Sequence, residues 1–144
     1  MNGLNFKLYE APSFDANTSY VQFQVGKGKK SDPSVYVERL AFDCIRGVIW
    51  NKHREFADQK KINQINNADW ERCLDGLQTA SQNLATCKDS RQLMHLLSVP
   101  SHLFSDIEAV FDDKESLQQF IEALILWVRT HLKKAKYILI IRHD

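Results

Sequence analysis

The run Tyr137-Ile138-Leu139-Ile140-Ile141 constrains the fold more than any other stretch of this 144-residue chain. Consecutive apolar residues without alternation leave a strand no polar face for solvent. The run therefore predicts a strand interior to a sheet, with a neighbour on each side. Two earlier segments, Leu4-Asn5-Phe6-Lys7-Leu8-Tyr9 and Tyr20-Val21-Gln22-Phe23-Gln24-Val25, alternate apolar with polar residues, the period-two mark of half-buried strands. Turn-forming residues from Ala11 to Asn17 separate them, which predicts an antiparallel N-terminal pair. The last strand is placed beside that pair, so its removal is expected to unfold the domain.

The interior of the chain reads as helices. Asp32 as cap and Pro33 at the first helical position predict a helix start. Val37, Leu40, Ala41, Cys44, Ile45, Val48 and Ile49 then follow at helical spacing. Polar residues from Asn51 to Asn67 predict a solvated connection, with His53 in water. A second helix is expected from about Ala68 to Cys87, with Trp70, Cys73, Leu74, Leu77, Ala80 and Leu84 inward. Asp89 or Ser90 can cap a short third helix carrying Leu93, Met94, Leu96 and Leu97, stopped at Val99-Pro100. Ser101 opens a further short helix with Leu103, Phe104, Ile107, Val110 and Phe111. Asp112 and Glu115 then stand at capping-box spacing before the strongest helix, Leu117 to Leu132. Lys133, Lys134 and Lys136 suit its C-terminal end. The expected fold is α+β: one domain spanning 1–144, a small sheet of about three strands, and about five helices.

Known chemical motifs are few. Cys44, Cys73 and Cys87 cannot all pair within one chain and match no zinc spacing. Cys44 and Cys73 fall on apolar stripes and are expected in the core as free thiols. Neither a basic leader nor a membrane-length apolar run is present, which with the thiols predicts a cytoplasmic protein without a membrane partner. His53, His95, His102, His131 and His143 form no metal-binding spacing, so no metal and no cofactor is expected. No Gly-x-Ser-x-Gly elbow is present, and no catalytic residue is assigned.

Gly26-Lys27-Gly28-Lys29-Lys30-Ser31 lies between a strand and the predicted helix start, an arrangement that can hold a phosphate. It departs from Walker A, because Lys30 follows Gly28-Lys29. It departs from the dinucleotide fingerprint, because Ser31 stands where a third glycine belongs. Lys27, Lys29 and Lys30 are the phosphate contacts of an alternative reading, an accessory module for nucleic acid or a nucleotide, aided by Lys133, Lys134 and Lys136 if the fold gathers them.

Lys and Arg total 19 against 18 for Asp and Glu, a net charge of +1 that argues against a general nucleic-acid binder. The total conceals an uneven layout. Residues 26–61 hold nine basic and five acidic groups, and residues 62–128 hold four basic and ten acidic. The acids are densest at Asp106, Glu108, Asp112, Asp113 and Glu115. They either support helix N-termini or form a negative patch that steers a basic partner. Trp50, at the end of the first helix, is the tryptophan expected at the surface and a candidate interface anchor. Trp70 and Trp127 are expected in the core, and Phe14 is expected to tuck inward.

In size, α+β plan and acidic patch, the chain resembles immunity proteins that neutralise secreted or contact-delivered bacterial toxins. The near-neutral total charge departs from the clearly acidic members that block nucleases. The resemblance implies a non-catalytic binding protein that holds a protein toxin or enzyme, a basic nuclease domain among them, in a tight one-to-one complex. It carries no residue roles over. The partner-binding candidates read from charge and exposure are Asp106, Glu108, Asp112, Asp113, Glu115 and Trp50.

Overall fold

The computed structural model describes residues 5–12, 14, 17–26, 29, 32–53 and 60–143. Among them the strands are β1 (Tyr20–Val25), β2 (Ser34–Glu38), β3 (Ile62–Asn66) and β4 (Tyr137–His143). The helices are α1 (Arg39–Lys52), α2 (Asn67–Leu84), α3 (Ser90–Leu97), α4 (Ile107–Asp112) and α5 (Lys114–Leu132), with a single 3-10 turn at Ser101–Leu103. The fold is α+β, and the sheet is antiparallel throughout in the order β2-β1-β4-β3.

β4 lies between β1 and β3, as its two-faced apolar run requires. Ile138 is paired to Val25 on one side and Ile65 on the other, and Ile138, Leu139 and Ile140 are all buried. The register aligns Phe23 with both Val35 and Ile140, so one face carries Val21, Phe23, Val35, Val37, Ile65, Ile138 and Ile140. Helices cover that face. Phe23 packs against Phe42 of α1 and Trp70 of α2, with ring centroids 6.0 and 6.2 Å apart. The buried Trp70 donates its indole N–H to the Ile138 carbonyl at 3.0 Å, tying α2 to the central strand. Behind this layer α5 packs along α2 through Leu117, Phe120, Ile121, Leu124 and Val128. Each such side chain contributes roughly 1.5–3 kcal/mol by leaving water.

Three expectations are corrected. The segment predicted as a helix start at Pro33 is strand β2, and the helix begins only at Arg39. Val35 and Val37 alternate inward with Ser34, Tyr36 and Glu38, and pairing with β1 outweighs the local helix signal. Asp32 accepts the Lys29 backbone N–H instead of capping a helix.

The predicted first strand forms no ladder among its described residues. Only Tyr9 pairs, exchanging two backbone bonds with Tyr36 at the edge of β2, while Phe6 packs onto Phe120. Leu4 lies outside the described residues. The N-terminal hairpin is therefore β1 with β2.

The connection predicted from Asn51 to Asn67 contains β3, which adds a fourth strand to the sheet. Its Ile62-Asn63-Gln64-Ile65-Asn66 sequence buries only Asn63 and Ile65, so its apolar signal is faint. Arg54, Glu55 and Gln59 of that connection lie outside the described residues.

Candidate partner-binding surface

The acidic residues are gathered by the short helix α4, the first turn of α5 and the junction between them. Asp89 caps α3, its carboxylate accepting the Gln92 N–H at 2.9 Å, while Gln92 accepts the Lys88 N–H. At the other end of α3, Ser98 takes up a left-handed conformation at φ 50°. Pro100 and the 3-10 turn then redirect the chain into α4. Asp113 serves as C-cap of α4 and N-cap of α5, so the two helices meet at one residue.

On this corner Glu108, Asp112 and Glu115 are exposed, and Asp106 and Asp113 are half-buried. Glu108 and Glu115 stand in the first turns of α4 and α5, where the helix dipole favours a negative charge. Neither Asp106 nor Asp113 makes a side-chain cap bond, and Asp112 is the last residue of α4, so the capping box expected at Asp112 does not form. Glu108 accepts a hydrogen bond from Ser90 Oγ. Lys114 sits among the acids but donates to the Cys87 carbonyl at 2.7 Å and lies 5.0 Å from the Phe111 ring centroid. Among the described residues none of the five carboxylates forms an ion pair. Phe104, two positions before Asp106, is 55% exposed.

Trp50 stands elsewhere. It is 46% exposed in the last turn of α1, whose next residue, Asn51, donates to Ser98 Oγ at 3.0 Å. Asp43, seven positions earlier and about 10 Å along the helix, meets the 3-10 turn through His102. Trp50 therefore flanks the seam between α1 and α3, one helix removed from the acidic corner.

Two ion-pair clusters leave little trace in the sequence. Asp43 is buried, with Arg39 Nε at 3.1 Å, Arg46 Nη1 at 3.8 Å and His102 Nε2 at 3.0 Å. The spacing of Arg39, Asp43 and Arg46 on one helix could have signalled two of these pairs. His102 arrives from 59 positions away and could not. His53, expected in water, is buried with Nδ1 3.1 Å from Asp69 Oδ2, and Asp69 also pairs with Arg72. Both clusters join separate segments, the first α1 to the 3-10 turn, the second the end of α1 to the start of α2.

The cysteines are all buried and free. Burial pushes Cys44 and Cys73 up to about 12. The carboxylates of Asp43 and Asp106 add to the rise at Cys44, and Arg72 and Lys52 oppose it at Cys73. Such thiols are poor nucleophiles. Trp127 is half-buried against His131, and Phe14 is half-buried between Tyr9 and Tyr20.

Of the glycine–lysine loop, Lys27 and Lys30 lie outside the described residues. Lys29 is exposed, and its carbonyl accepts the Gln24 side chain at 2.8 Å. Gly26, at φ 77°, donates to the Tyr137 carbonyl at 2.8 Å, which holds Gly26 at the end of the sheet where Lys136 enters β4. The strand β2, rather than the predicted helix, comes next in the chain.

Among the described residues no three His, Cys, Asp or Glu side chains gather as metal ligands would, and no helix is long and apolar enough to cross a membrane. No protein-family model, curated protein or solved structure matches the chain.

Proposed function

We propose that this chain is a non-catalytic binding protein that neutralises a basic protein partner, a toxin or an enzyme, by holding it in a one-to-one complex. The supporting observation is the corner of α4 and α5. There five carboxylates without an ion pair among the described residues surround a junction that begins two residues after the exposed Phe104. Uncompensated like charges repel, and a cationic partner surface would relieve that repulsion while speeding encounter. Phe104 would supply the desolvated anchor such interfaces need, within a contact burying about 1,200–2,000 Å². Trp50 would belong to the rim. The proposed site of action is the cytoplasm, in keeping with three free cysteines.

The test begins with isolation of a stoichiometric complex from the native cell and identification of the partner. Affinity is then measured at two salt concentrations. Asp106→Asn, Glu108→Gln, Asp112→Asn, Asp113→Asn and Glu115→Gln combined should weaken binding and flatten its salt dependence. Unchanged affinity and unchanged salt dependence would remove the acidic corner from the interface.

A second reading, a module for nucleic acid or a nucleotide, draws support from the bond between Gly26 and Tyr137, which sets Lys29 at the same end of the sheet as Lys136. It requires a phosphate-bearing ligand whose affinity falls steeply with salt and vanishes when Lys27, Lys29 and Lys30 become Ala.

A further inference from the structure

The two edges of the sheet are finished differently. On β2, Tyr36 points its backbone outward and exchanges two hydrogen bonds with Tyr9, at 2.9 and 2.8 Å. The N-terminal segment thus closes the middle of that edge. On β3 the ladder itself shows which groups remain. Arg142 N–H donates to the Lys61 carbonyl at 2.7 Å, and Asn67 N–H donates to the Lys136 carbonyl at 2.9 Å. Hydrogen-bonded pairs alternate along an antiparallel ladder, so Asn63 and Ile65 also turn their backbones toward β4. Ile62, Gln64 and Asn66 aim theirs away from the sheet. All three residues are exposed, Ile62 at 54%.

Free edges are ordinarily protected by a charge, a proline or a bulge within the strand. β3 has none of these: its residues are uncharged, none is proline, and its register with β4 runs unbroken. Lys60 and Lys61 precede the strand, and among the described residues no partner outside α2 bonds its outward backbone groups. The strand also complements itself. A two-fold axis through Gln64 sets Gln64 opposite Gln64 of the second copy, and Ile62 opposite the second copy's Asn66. The backbones at these positions turn outward, but the Asn66 carbonyl, at the N-cap of α2, already accepts the first intrahelical bond, so about four new hydrogen bonds form: two between the Gln64 pair and one from each Asn66 N–H to the opposite Ile62 carbonyl. Lys61 then falls opposite Asn67 and Lys60 opposite Ala68, so no like charges meet.

We propose that the β3 edge is a homodimer interface, on which a second copy of this chain lays its own β3 antiparallel about Gln64 and doubles the four-stranded sheet. The interface involves none of the acidic corner residues and is independent of the function proposed above.

The experiment is sedimentation equilibrium on the intact chain over roughly 1–500 µM, a range that brackets the dissociation constants of small interfaces. The mass should rise from monomer to dimer. Gln64→Pro removes an outward N–H that has no partner among the described residues, and should weaken the dimer by about tenfold or more while leaving the circular dichroism unchanged. Gln64→Lys alters only an exposed side chain and sets two like charges across the axis. It should be monomeric, as should Gln64→Glu, and mixing the two should restore a dimer. A wild-type chain that stays monomeric throughout overturns the proposal and leaves the edge for a strand of another protein. A dimer that survives Gln64→Pro or Gln64→Lys, or a Lys and Glu mixture that fails to pair, overturns it as well.

Discussion

Gly47 in the middle of α1 carries the sharpest stability prediction. A Cβ built there would lie 2.8 Å from the Leu97 carbonyl oxygen and 3.0 Å from the Ser98 carbonyl carbon, and closer still to the Ser98 oxygen. These are backbone atoms of a turn in which Ser98 is held left-handed and Val99 N–H is bonded to the Met94 carbonyl at 3.3 Å. They cannot rotate away. Gly47→Ala must therefore move α1 from the α3 turn, stretching the Asn51 to Ser98 bond and the contact of His102 with Asp43. Overpacking of this kind costs about 1–3 kcal/mol, and a weakened hydrogen bond adds about 0.5–1.5. Replacing a helical glycine by alanine returns about 1 kcal/mol. The net expectation is a loss of about 2 kcal/mol.

Gly76 in α2 is the matched control. Its Cβ would meet Lys52 Cε, Val48 Cγ1 and Lys52 Cγ at 3.1–3.2 Å, and the exposed lysine chain can yield. Gly76→Ala should be neutral or stabilising by up to about 1 kcal/mol. Urea unfolding, followed by tryptophan fluorescence and far-ultraviolet circular dichroism, measures both variants. The Gly47→Ala midpoint should fall by about 1 M with an unchanged slope, and the Gly76→Ala midpoint should hold or rise. If Gly47→Ala proves as stable as Gly76→Ala, the close approach of α1 to the α3 turn is refuted.

Asp89→Ala, which removes a capping carboxylate, should cost about 1 kcal/mol in the same assay. Asp113→Ala, which removes no cap bond, should stay within about 0.5; equal losses would contradict the two cap geometries. Cys73 titrates at about 12 when folded and 9.0 when unfolded. The unfolded chain thus loses its proton first, and stability falls as pH rises above 9.0. The thiol should contribute a loss on the order of 1 kcal/mol between pH 8 and pH 10. Cys73→Ala should flatten the pH slope by that amount, and an unaltered slope would place the thiol in contact with water. Deleting residues 137–144 removes β4 from between β1 and β3 and should abolish the cooperative unfolding transition. A sharp melt in the truncated chain would show that the sheet tolerates the loss of its central strand.

Legibility followed the kind of signal each element carries. α5 is readable because Leu117, Phe120, Ile121, Leu124 and Val128 repeat over about three turns, and a long periodic stripe has few alternative folds. The α3 cap at Asp89 was readable because capping is local chemistry. β2 departs from its local signal: Asp32-Pro33 favours a helix start, yet the strand is chosen by its neighbour, with Val35 and Val37 aligned with Phe23 and Val21 across the ladder. β3 was missed because a short edge strand with two buried positions leaves almost no pattern. Of the candidate surface, the contiguous acids from Asp106 to Glu115 could be named in advance. Whether any cation in the fold would neutralise them could not.

Residue order alone dictates which segments must leave water. The two-faced apolar run of β4 demanded neighbours on both sides, the helical stripes demanded a shared core, and Cys44 and Cys73 fell within it. Those demands arise from side-chain chemistry and spacing, which operate within a few residues. Long-range packing set which strands became the neighbours, that His102 would reach Asp43, and that one sheet edge is closed by Tyr9 while the other has no partner at Gln64 among the described residues. Each of these is a contact between distant segments, set by the summed packing of the whole core and written in no single stretch of it.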